Sequence, residues 1–577
     1  MAGNAAKEQS KICDVLVIGS GAGGLSTAIV AASHGLDVLV VEKSEFYGGA
    51  SAWSGGWLWV PLNPLAIKAG FKDSIEAVKT YIKHESKGLW NEKRVDAFLE
   101  SGPEMVAFFQ ENTALQFDWG PNFPDYRPLA PGGVNGGRSL VAQPYDARGL
   151  GKEVRRLLRP RAAATLLGMQ LGSGGELQHF YNAFRSLNSF LRVIWLISTY
   201  LRDRVLHGRA MRLTNGNALV ARLARSAFDR KIPIWTSSPA ESLIMEKGVV
   251  RGARILRKGV SLEVRARRGV VLASGGFPWD IERRKKAYSH GASTPHWSNT
   301  PETNTGDGLR LGEAAGGRQL TELTNAGAWS PVSLMVEPNG EQRPVGHLVD
   351  RGKPGFITVL ANGRRFGNEA DSYHNYVEAL IAATPGDAEK TGFLIADHKA
   401  VRTYGMGRAR PAPFKLETHV KNGYLTQADT IEGLAVKLGV DPAGLQATVT
   451  RFNENARLGV DPDFNRGASA YNAYLGDPNH KPNPSLGPIE VGPFYGVKIY
   501  PGDLATYATL VVDEDGRVLN DKNLPIQGLY AAGTDAATAF GGSYVGGGAV
   551  LGPTLTFGYR TGRHLAGVNA PAPRTPG

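Results

Sequence analysis

The sequence has almost no cysteine and no long uninterrupted apolar run. Cys13 is the single cysteine among 577 residues, which excludes an internal disulfide and fits a reducing compartment. Residues 1–11 are polar and lack the apolar core of a secretory signal peptide. We therefore expect a cytoplasmic protein.

Glycine, in contrast, is abundant. The chain holds 73 glycines, and 42% of its residues are hydrophobic. A chain of this length and composition can bury a sizeable core and is expected to divide into at least two domains. The composition is therefore that of a large globular protein.

Positive charge is concentrated in one segment. The net charge is +12, and residues 151–212 hold eleven basic residues against three acidic ones, which is +8 of that total. No recognised nucleic-acid-binding motif accompanies this charge, so we expect no nucleic-acid partner.

Within this segment, apolar residues recur at the spacing of a helix. The repeating positions are Phe184, Leu187, Leu191, Ile194, Ile197 or Ser198, Leu201 and Val205. Arg185 and Arg192 interrupt the apolar run, which leaves fewer than the roughly 20 residues that a membrane-spanning helix needs. Residues 155–207 therefore predict an amphipathic helix lying in an anionic membrane surface. Packing on the protein body or on another subunit is an equally weighted alternative.

A dinucleotide-binding fingerprint stands near the beginning of the chain. Residues 14–24, DVLVIGSGAGG, form an apolar strand followed by Gly19, Gly21 and Gly24 and then by an apolar helix. Glu42 ends the next apolar strand. The glycines permit a tight turn and the close approach of a pyrophosphate, and the acid can bind a ribose hydroxyl.

Further glycine clusters lie at residues 48–56, 268–277, 304–317 and 528–559. Their scatter over most of the chain is expected when distant segments converge on one FAD. No histidine or cysteine lies in these clusters to attach a flavin, so we expect noncovalent FAD, and we expect no metal. The predicted cofactor-binding residues are Gly19, Gly21, Ala22, Gly24, Glu42, Lys43, Gly49, Ala50, Ser51, Ser54, Gly55, Gly56, Ser274, Gly275, Gly276, Asp307, Gly533, Asp535, Gly548 and Leu551.

The last cluster places a phenol beside a helix start. Tyr544 stands four residues before Gly548, in a glycine run that leads into a helix. Free backbone N–H groups at such a helix start can polarise a carbonyl or hold a flavin edge. Together with the phenol they predict an oxyanion clamp.

Four motifs carry a family resemblance: FPDY at residues 123–126, NGRRFGNEADSY at 362–373, PFYGVKIYPGDLAT at 493–506 and SYVGGGAVLGP at 543–553. On these motifs the chain resembles the FAD-dependent 3-ketosteroid dehydrogenases that introduce a double bond between steroid carbons 1 and 2. These enzymes belong to the fumarate reductase flavoprotein group. Residues 155–207 form an insertion relative to the family pattern.

The resemblance implies roles for particular residues. Tyr544 and the Gly548 N–H would hold the ketone, while Tyr373, or its neighbour Tyr376, would take the proton from carbon 2 with the help of Tyr126. The hydride of carbon 1 would go to flavin N5, and a quinone-like molecule is a plausible electron acceptor. An ordinary tyrosine, with a pKa of about 10, is a poor base unless its surroundings favour the tyrosinate.

Three other functions compete with this one. A fumarate reductase would need a histidine and an arginine near the flavin, and residues 533–556 contain neither. A dehydrogenase acting at steroid carbons 4 and 5 would share the cofactor motifs. A flavin-fold binding protein without redox chemistry is the third alternative.

The predicted fold class is α/β. We expect a Rossmann-type FAD-binding domain in two pieces, residues 1–323 and 494–577, with the 155–207 insertion in the first piece. An inserted α+β substrate domain would occupy residues 324–493. The active site would lie between the two domains, where ligand clefts are common.

Overall fold

A computed structural model describes residues 10–161, 165–166, 168–172, 176, 179–180, 182–183, 186–291, 293–337, 339–384, 386 and 388–568. Its strands form two main sheets and three small ones. The helices of this part of the chain are Ala22–Ser33, Gly49–Trp53, Pro64–Lys68, Ile75–Glu85, Glu92–Asn112, Leu187–His207, Asn215–Asp229, Ile281–Ala287, Asp307–Ala314, Tyr373–Ala383, His398–Tyr404, Glu417–Lys421, Ile431–Leu438, Pro442–Leu458, Ala470–Leu475 and Leu551–Leu565. Short 3-10 helices are Ala147–Arg156, Asp350–Gly352 and Gly533–Asp535.

The first main sheet carries the fingerprint. Its strands lie in the order Ile234–Trp235, Val38–Val41, Lys11–Ile18, Val260–Leu272, Val249–Arg257 and Ala240–Glu246. Pro525–Ala531 pairs in parallel with Val260–Leu272, and Arg517–Leu519 pairs with Pro525–Ala531. The strands at the parallel centre of the sheet are buried on both faces, and one face packs with the helices Ala22–Ser33, Asn215–Asp229 and Leu551–Leu565. This arrangement confirms the predicted α/β class.

The second main sheet is built around a long strand, Phe494–Thr506. The order is Gln342–Gly346, Gly327–Val336, Phe494–Thr506, Gly392–Asp397 and Phe356–Val359, and both Trp297–Ser298 and Thr426–Ala428 also pair with the long strand. The boundary predicted at residue 494 falls at the start of this strand. Because its pairing lies within the second sheet, we propose that the substrate domain extends to Thr506.

Small sheets complete the chain. Trp57–Trp59, Ser139–Ala142 and Phe117–Gly120 form one, Tyr145–Asp146 pairs with Arg212–Leu213, and Thr165–Leu166 pairs with Met169–Gln170. The first of these sheets lies against the Leu551–Leu565 helix. It thereby brings residues of the first 150 positions to the glycine run near the end of the chain.

Buried apolar side chains hold the nucleotide-binding helix in place. Leu25 and Ile29 of the Ala22–Ser33 helix are fully buried against Leu555 and Leu219, which come from the two helices that pack on it. Each such side chain contributes about 1.5–3 kcal/mol relative to an exposed position. The start of this helix is therefore held rigidly beneath the glycine turn.

The predicted amphipathic helix is present at Leu187–His207. Ser186 caps its first turn, and Gly208, with φ +69°, ends it. Val193, Leu196 and Asp203 face the protein, whereas most other large apolar side chains of the helix are exposed. Phe184 and Arg185 lie outside the described residues. Among the helices of the described chain, none is long and apolar enough to cross a membrane.

Candidate active site

A cavity of about 790 Å³ runs from the glycine turn of the first sheet to a group of tyrosines. Most of the predicted site residues share its wall. These are Gly19, Gly21, Ala22, Glu42, Lys43, Gly49, Ala50, Ser51, Ser54, Gly55, Gly56, Tyr126, Ser274, Gly275, Asp307, Tyr373, Gly533, Tyr544, Gly548 and Leu551. Residues from five distant segments therefore meet around one space.

The glycine turn leaves room for a ligand. A Cβ added to Gly21 would meet only the Ser51 Oγ, at 3.5 Å, and the Gly48 carbonyl oxygen, at 4.0 Å, so this position opens onto the cavity. Beside it, the Ala22 N–H donates to the Ser51 Oγ at 3.0 Å at the start of the Ala22–Ser33 helix. A backbone open at the start of a buried helix suits a pyrophosphate. The residues present therefore fit an FAD.

Two charged groups stand farther along the same wall. Glu42 accepts from the Ser20 Oγ at 2.6 Å and from the Ser44 N–H at 2.9 Å. Lys43 forms a salt bridge of 2.6 Å with Asp307. Glu42 directly follows the strand Val38–Val41 and lies beside the glycine turn, which is the position from which an acid binds a ribose in dinucleotide folds.

Three predicted cofactor residues, Gly24, Gly276 and Asp535, lie behind the wall. A Cβ on Gly24 would come within 2.1 Å of the Gly19 carbonyl oxygen, so this glycine permits close packing of the turn on the helix. Asp535 accepts from the Ser274 Oγ at 2.9 Å and the Gly276 N–H at 2.8 Å, and burial raises the pKa of its carboxyl group. These three residues therefore support the predicted FAD-binding surface without lining the cavity themselves.

Three tyrosines meet at the other end of the cavity. The Tyr126 hydroxyl donates to the Tyr373 hydroxyl at 2.8 Å, across 247 residues of sequence. The Tyr544 ring lies 5.4 Å from that of Tyr126 and 5.3 Å from that of Tyr373, measured between centroids. Ser372 caps the helix that begins with Tyr373 and so fixes the position of that phenol. Tyr376 is buried against Phe366 and Arg351 and does not line the described cavity wall.

Burial governs the ionisation of these phenols. It raises the pKa of Tyr126 and Tyr373 well above the ordinary value. Burial also raises the pKa of Tyr544, to about 12, and its hydrogen bond with Tyr373 limits that rise. The pKa of Tyr544 is thus shifted least, so ionisation alone does not select Tyr373 as the base. The three phenols form one group of mutual contacts, in which Tyr373 is hydrogen-bonded to Tyr126 and its ring meets that of Tyr544.

Gly548 lies where the glycine run turns into the last helix. Its φ is +97°, and a Cβ there would come within 2.4 Å of the Trp57 carbonyl. The Trp59 N–H donates to the Gly548 carbonyl at 3.1 Å. Only glycine fits this left-handed and crowded position. The absence of a side chain lets the backbone of the glycine run pack closely on Trp57, at the cavity wall that also holds Tyr544.

A buried ion cluster ties the Tyr126 loop to the glycine run. The Asp125 carboxylate accepts from the Trp59 indole at 2.8 Å and from Arg138 at 2.7 Å, and Arg138 also donates to Asp73. Asp125 pairs with Gly546 as an isolated bridge. Sequence reasoning missed this cluster, because only the aspartate lies in a quoted motif and nothing local pairs it with Arg138.

The remaining wall is largely aromatic and apolar. The Phe123 ring stacks on Tyr474 at 4.9 Å and meets Trp57 edge-on at 4.5 Å. Leu348 and Val349 line the same space. Sequence reasoning missed Tyr474 and both aliphatic residues, because single apolar positions carry no signal of a cavity. The wall suits a flat apolar molecule.

A dinucleotide cradle joined to a cluster of buried phenols defines the class of flavin-dependent oxidoreductases. The FAD binding domain family matches residues 14–551, and the chain belongs to this family. FAD is its cofactor, as predicted.

Similar proteins match almost the whole chain. A 4-oxocyclohex-2-ene-1-carboxylate 5-dehydrogenase from Sinomonas cyclohexanicum is 40% identical over 96% of this chain and 94% of the relative. A 3-oxosteroid 1-dehydrogenase from Mycobacterium tuberculosis is 36% identical over 96% of this chain and 98% of the relative. The crystal structure of 3-ketosteroid delta1-dehydrogenase from Sterolibacterium denitrificans in complex with 1,4-androstadiene-3,17-dione has a TM-score of 0.88 at 36% identity, covering 97% of this chain and 100% of that chain. The predicted resemblance is thereby confirmed.

Proposed function

We propose that this oxidoreductase introduces a double bond between carbons 1 and 2 of a 3-ketosteroid. The observation that carries the proposal is the contact of Tyr126, Tyr373 and Tyr544 on one cavity wall, next to Gly548. The relatives named for 3-oxosteroid 1-dehydrogenation and the steroid complex of a 36% identical protein support it.

Desaturation beside a ketone needs a group that stabilises developing enolate charge. We assign this role to the Tyr544 hydroxyl and the Gly548 N–H, which would both donate to the ketone oxygen. The oxygen becomes more basic as the proton leaves carbon 2, so these hydrogen bonds strengthen toward the transition state.

The proton of carbon 2 needs a base, and we assign Tyr373. Burial and the neighbouring phenols raise the pKa of neutral Tyr373. Once Tyr373 is ionised, the Tyr126 hydroxyl, 2.8 Å from its oxygen, would donate to the tyrosinate and stabilise it. When bound, FAD supplies the acceptor for the hydride that leaves carbon 1. Tyr373 would then pass the proton it has taken through the Tyr126 hydroxyl to solvent, which restores the tyrosinate.

A monocyclic keto acid is the second candidate substrate. It is favoured by the 40% identical relative named for 4-oxocyclohex-2-ene-1-carboxylate and by Lys353, an ammonium on the cavity wall that could meet a carboxylate. Lys353 already donates to the Gly476 carbonyl at 2.7 Å, and burial lowers its pKa to about 8. The apolar wall around Phe123 and Tyr474 favours the steroid.

Anaerobic flavin bleaching distinguishes the two candidates. Purified holoenzyme is mixed with 4-androstene-3,17-dione or with 4-oxocyclohex-2-ene-1-carboxylate, and the flavin absorbance is followed. We expect rapid bleaching by the steroid and formation of 1,4-androstadiene-3,17-dione. Bleaching by the keto acid alone would assign the second candidate. A steroid desaturated at carbons 4 and 5, detected with a 4,5-saturated 3-ketosteroid, would assign the alternative position, and no bleaching by any ketone would indicate a binding protein.

We further propose that the enzyme attaches peripherally to the inner face of a membrane through the Leu187–His207 helix. Support comes from its exposed apolar side chains, each at least 38% accessible, and from the positive charge of the surrounding segment. An apolar helix face with basic neighbours suits the headgroup boundary of an anionic bilayer. The exposed residues are Leu187, Phe190, Leu191, Ile194, Trp195, Ile197, Leu201, Val205 and Leu206. Apolar substrates and a quinone-like electron acceptor would both be available there.

Vesicle flotation tests the attachment. We expect the holoenzyme to float with phosphatidylglycerol vesicles and Leu191→Gln/Leu201→Gln to remain unbound. Leu129→Gln/Leu458→Gln is the matched control, because these leucines are also exposed but lie elsewhere on the protein. Failure of the unaltered holoenzyme to float would assign the helix to packing on another subunit.

A further inference from the structure

The geometry points to a second binding site, separate from the flavin cavity, that takes a phosphate group. A cavity of about 470 Å³ lies between the Thr165–Leu166 and Met169–Gln170 hairpin, the end of the Leu187–His207 helix and residues 408–419. None of its described lining residues lines the flavin cavity. Its basic lining residues are Arg159, Arg204, Arg209, Arg212, Arg408, Arg410 and His419.

The wall carries a large excess of positive charge. No aspartate or glutamate is among the lining residues that the structure describes. Glu176, next to the site, forms a salt bridge with Arg212 and lies 3.5 Å from Arg192. Glu176 therefore offsets part of the charge at the edge of a site to which six guanidinium groups contribute. An anion in the cavity would relieve the repulsion among these cations.

Two of the basic groups, one buried and one half-buried, show the effect of this crowding. Arg209 is 7% exposed, and it donates to the Val154 carbonyl at 2.6 Å. Burial and then the charge of Arg159 lower its pKa to about 10. Burial also lowers the pKa of His419, with smaller contributions from Arg408 and Arg410. Bringing cations this close in a partly closed space favours a ligand of opposite charge.

The donor chemistry fits phosphate in particular. Guanidinium groups present planar pairs of N–H donors that match two oxygens of a phosphate, and several of them can share one dianion. Gln170 adds a neutral contact: it is 8% exposed, it lines the cavity, and its Oε1 has no hydrogen-bond partner within the described chain. This oxygen could accept from a hydroxyl on a phosphate or on the alcohol esterified to it.

The position of the cavity gives the phosphate two possible sources. Tyr200 and Arg204 belong to the helix whose other residues form the exposed apolar face. A phospholipid headgroup could therefore reach the cavity if that face lies in a bilayer. A free phosphate or a soluble phosphate ester could reach it from solvent. Both present the same oxygens to the arginines.

Binding to the holoenzyme tests the site. The probes are inorganic phosphate at constant ionic strength, followed by calorimetry, and vesicles of phosphatidylglycerol with phosphatidylcholine, compared with phosphatidylcholine alone. The test variants are Arg159→Gln and Arg204→Gln, singly and together, since both residues are exposed at the rim. Arg155→Gln is the matched control, because Arg155 is an exposed arginine of the same segment that does not line the described cavity wall.

We expect saturable binding of at least one probe, weakened about tenfold or more by each test variant and unchanged by the control. Saturation by inorganic phosphate that also competes with vesicles would mean that free phosphate and headgroup share the site. Binding of phosphatidylglycerol vesicles alone, still lost in the double variant, would assign the lipid source. Flavin content and thermal midpoint confirm that each variant is folded. Absence of saturable binding by both probes, or equal loss in Arg155→Gln, would refute the site.

Discussion

Replacing Asp125 by asparagine tests whether the Asp125 carboxylate positions Tyr126 without itself taking part in the reaction. Asp125 immediately precedes Tyr126, and its carboxylate accepts from Trp59, Val134 and Arg138 at 2.8, 3.2 and 2.7 Å. Trp59 in turn donates through its backbone to Gly548. One buried carboxylate therefore holds both the phenol loop and the glycine run that we assign to the ketone clamp.

The expected effect follows from the hydrogen bonds that asparagine cannot make. Its amide keeps one acceptor oxygen and places an NH₂ against a donor, so the charge-assisted bond to Arg138 or the bond to Trp59 is lost. A hydrogen bond to a charged group contributes about 1.5–3 kcal/mol. If loss of this hydrogen bond raises the activation free energy by the same amount, because the phenol and the clamp are less well aligned, kcat falls by about 10- to 10²-fold.

Steady-state kinetics of the purified holoenzyme measure this effect, with flavin content recorded for each variant. Asp73→Asn is the matched control, because Asp73 accepts from the other side of Arg138 at 2.7 and 2.8 Å and makes no described contact with Trp59 or Tyr126. We expect the control to keep a kcat close to that of the unaltered enzyme and Asp125→Asn to lose activity with little change in KM.

The pH profile adds a readout that general loss of structure would not change. Burial raises the pKa of Asp125 to about 6. As the pH falls through this value the carboxylate takes up a proton and loses its charge, so kcat should decline on the acid side. This decline should be absent in Asp125→Asn. Equal losses of kcat in Asp73→Asn and Asp125→Asn would show that Asp125 supports only the fold. The same conclusion would follow if kcat of Asp125→Asn still declined at acid pH as it does in the unaltered enzyme.

Three further predictions concern the cofactor and the phenols. Gly21→Val should yield folded, colourless protein, because its side chain enters the open space next to Ser51, and full flavin occupancy by absorbance would contradict the cradle assignment. Tyr544→Phe should lower kcat by about 10²- to 10³-fold with the flavin retained, since it removes one donor of the clamp. Tyr373→Phe should lower kcat at least as much, whereas Tyr376→Phe should keep a kcat close to that of the unaltered enzyme. The reverse result in the same assay would assign the base to Tyr376.

Local sequence patterns were sufficient for the cofactor fold. The strand, glycine turn, helix and acid of residues 14–42 are adjacent in sequence, and their geometry depends on glycine backbone freedom and apolar periodicity. The amphipathic helix was predictable for the same reason, since its spacing of apolar residues is a local property. Catalytic roles for Tyr126, Tyr373 and Tyr544 could be proposed from the sequence only because their motifs resemble those of a known family.

Tertiary structure alone decided which distant groups touch. The Tyr126–Tyr373 hydrogen bond, the Asp125–Arg138 ion pair and the arginine-lined cavity each join residues whose separation in sequence carries no signal of contact. The strand Phe494–Thr506 likewise pairs with Gly327–Val336 and Gly392–Asp397, which are distant in sequence, so local patterns could not predict its partners. Local patterns specify which elements form, whereas burial, register and charge pairing among those elements determine the cavity and the ionisation of the groups that line it.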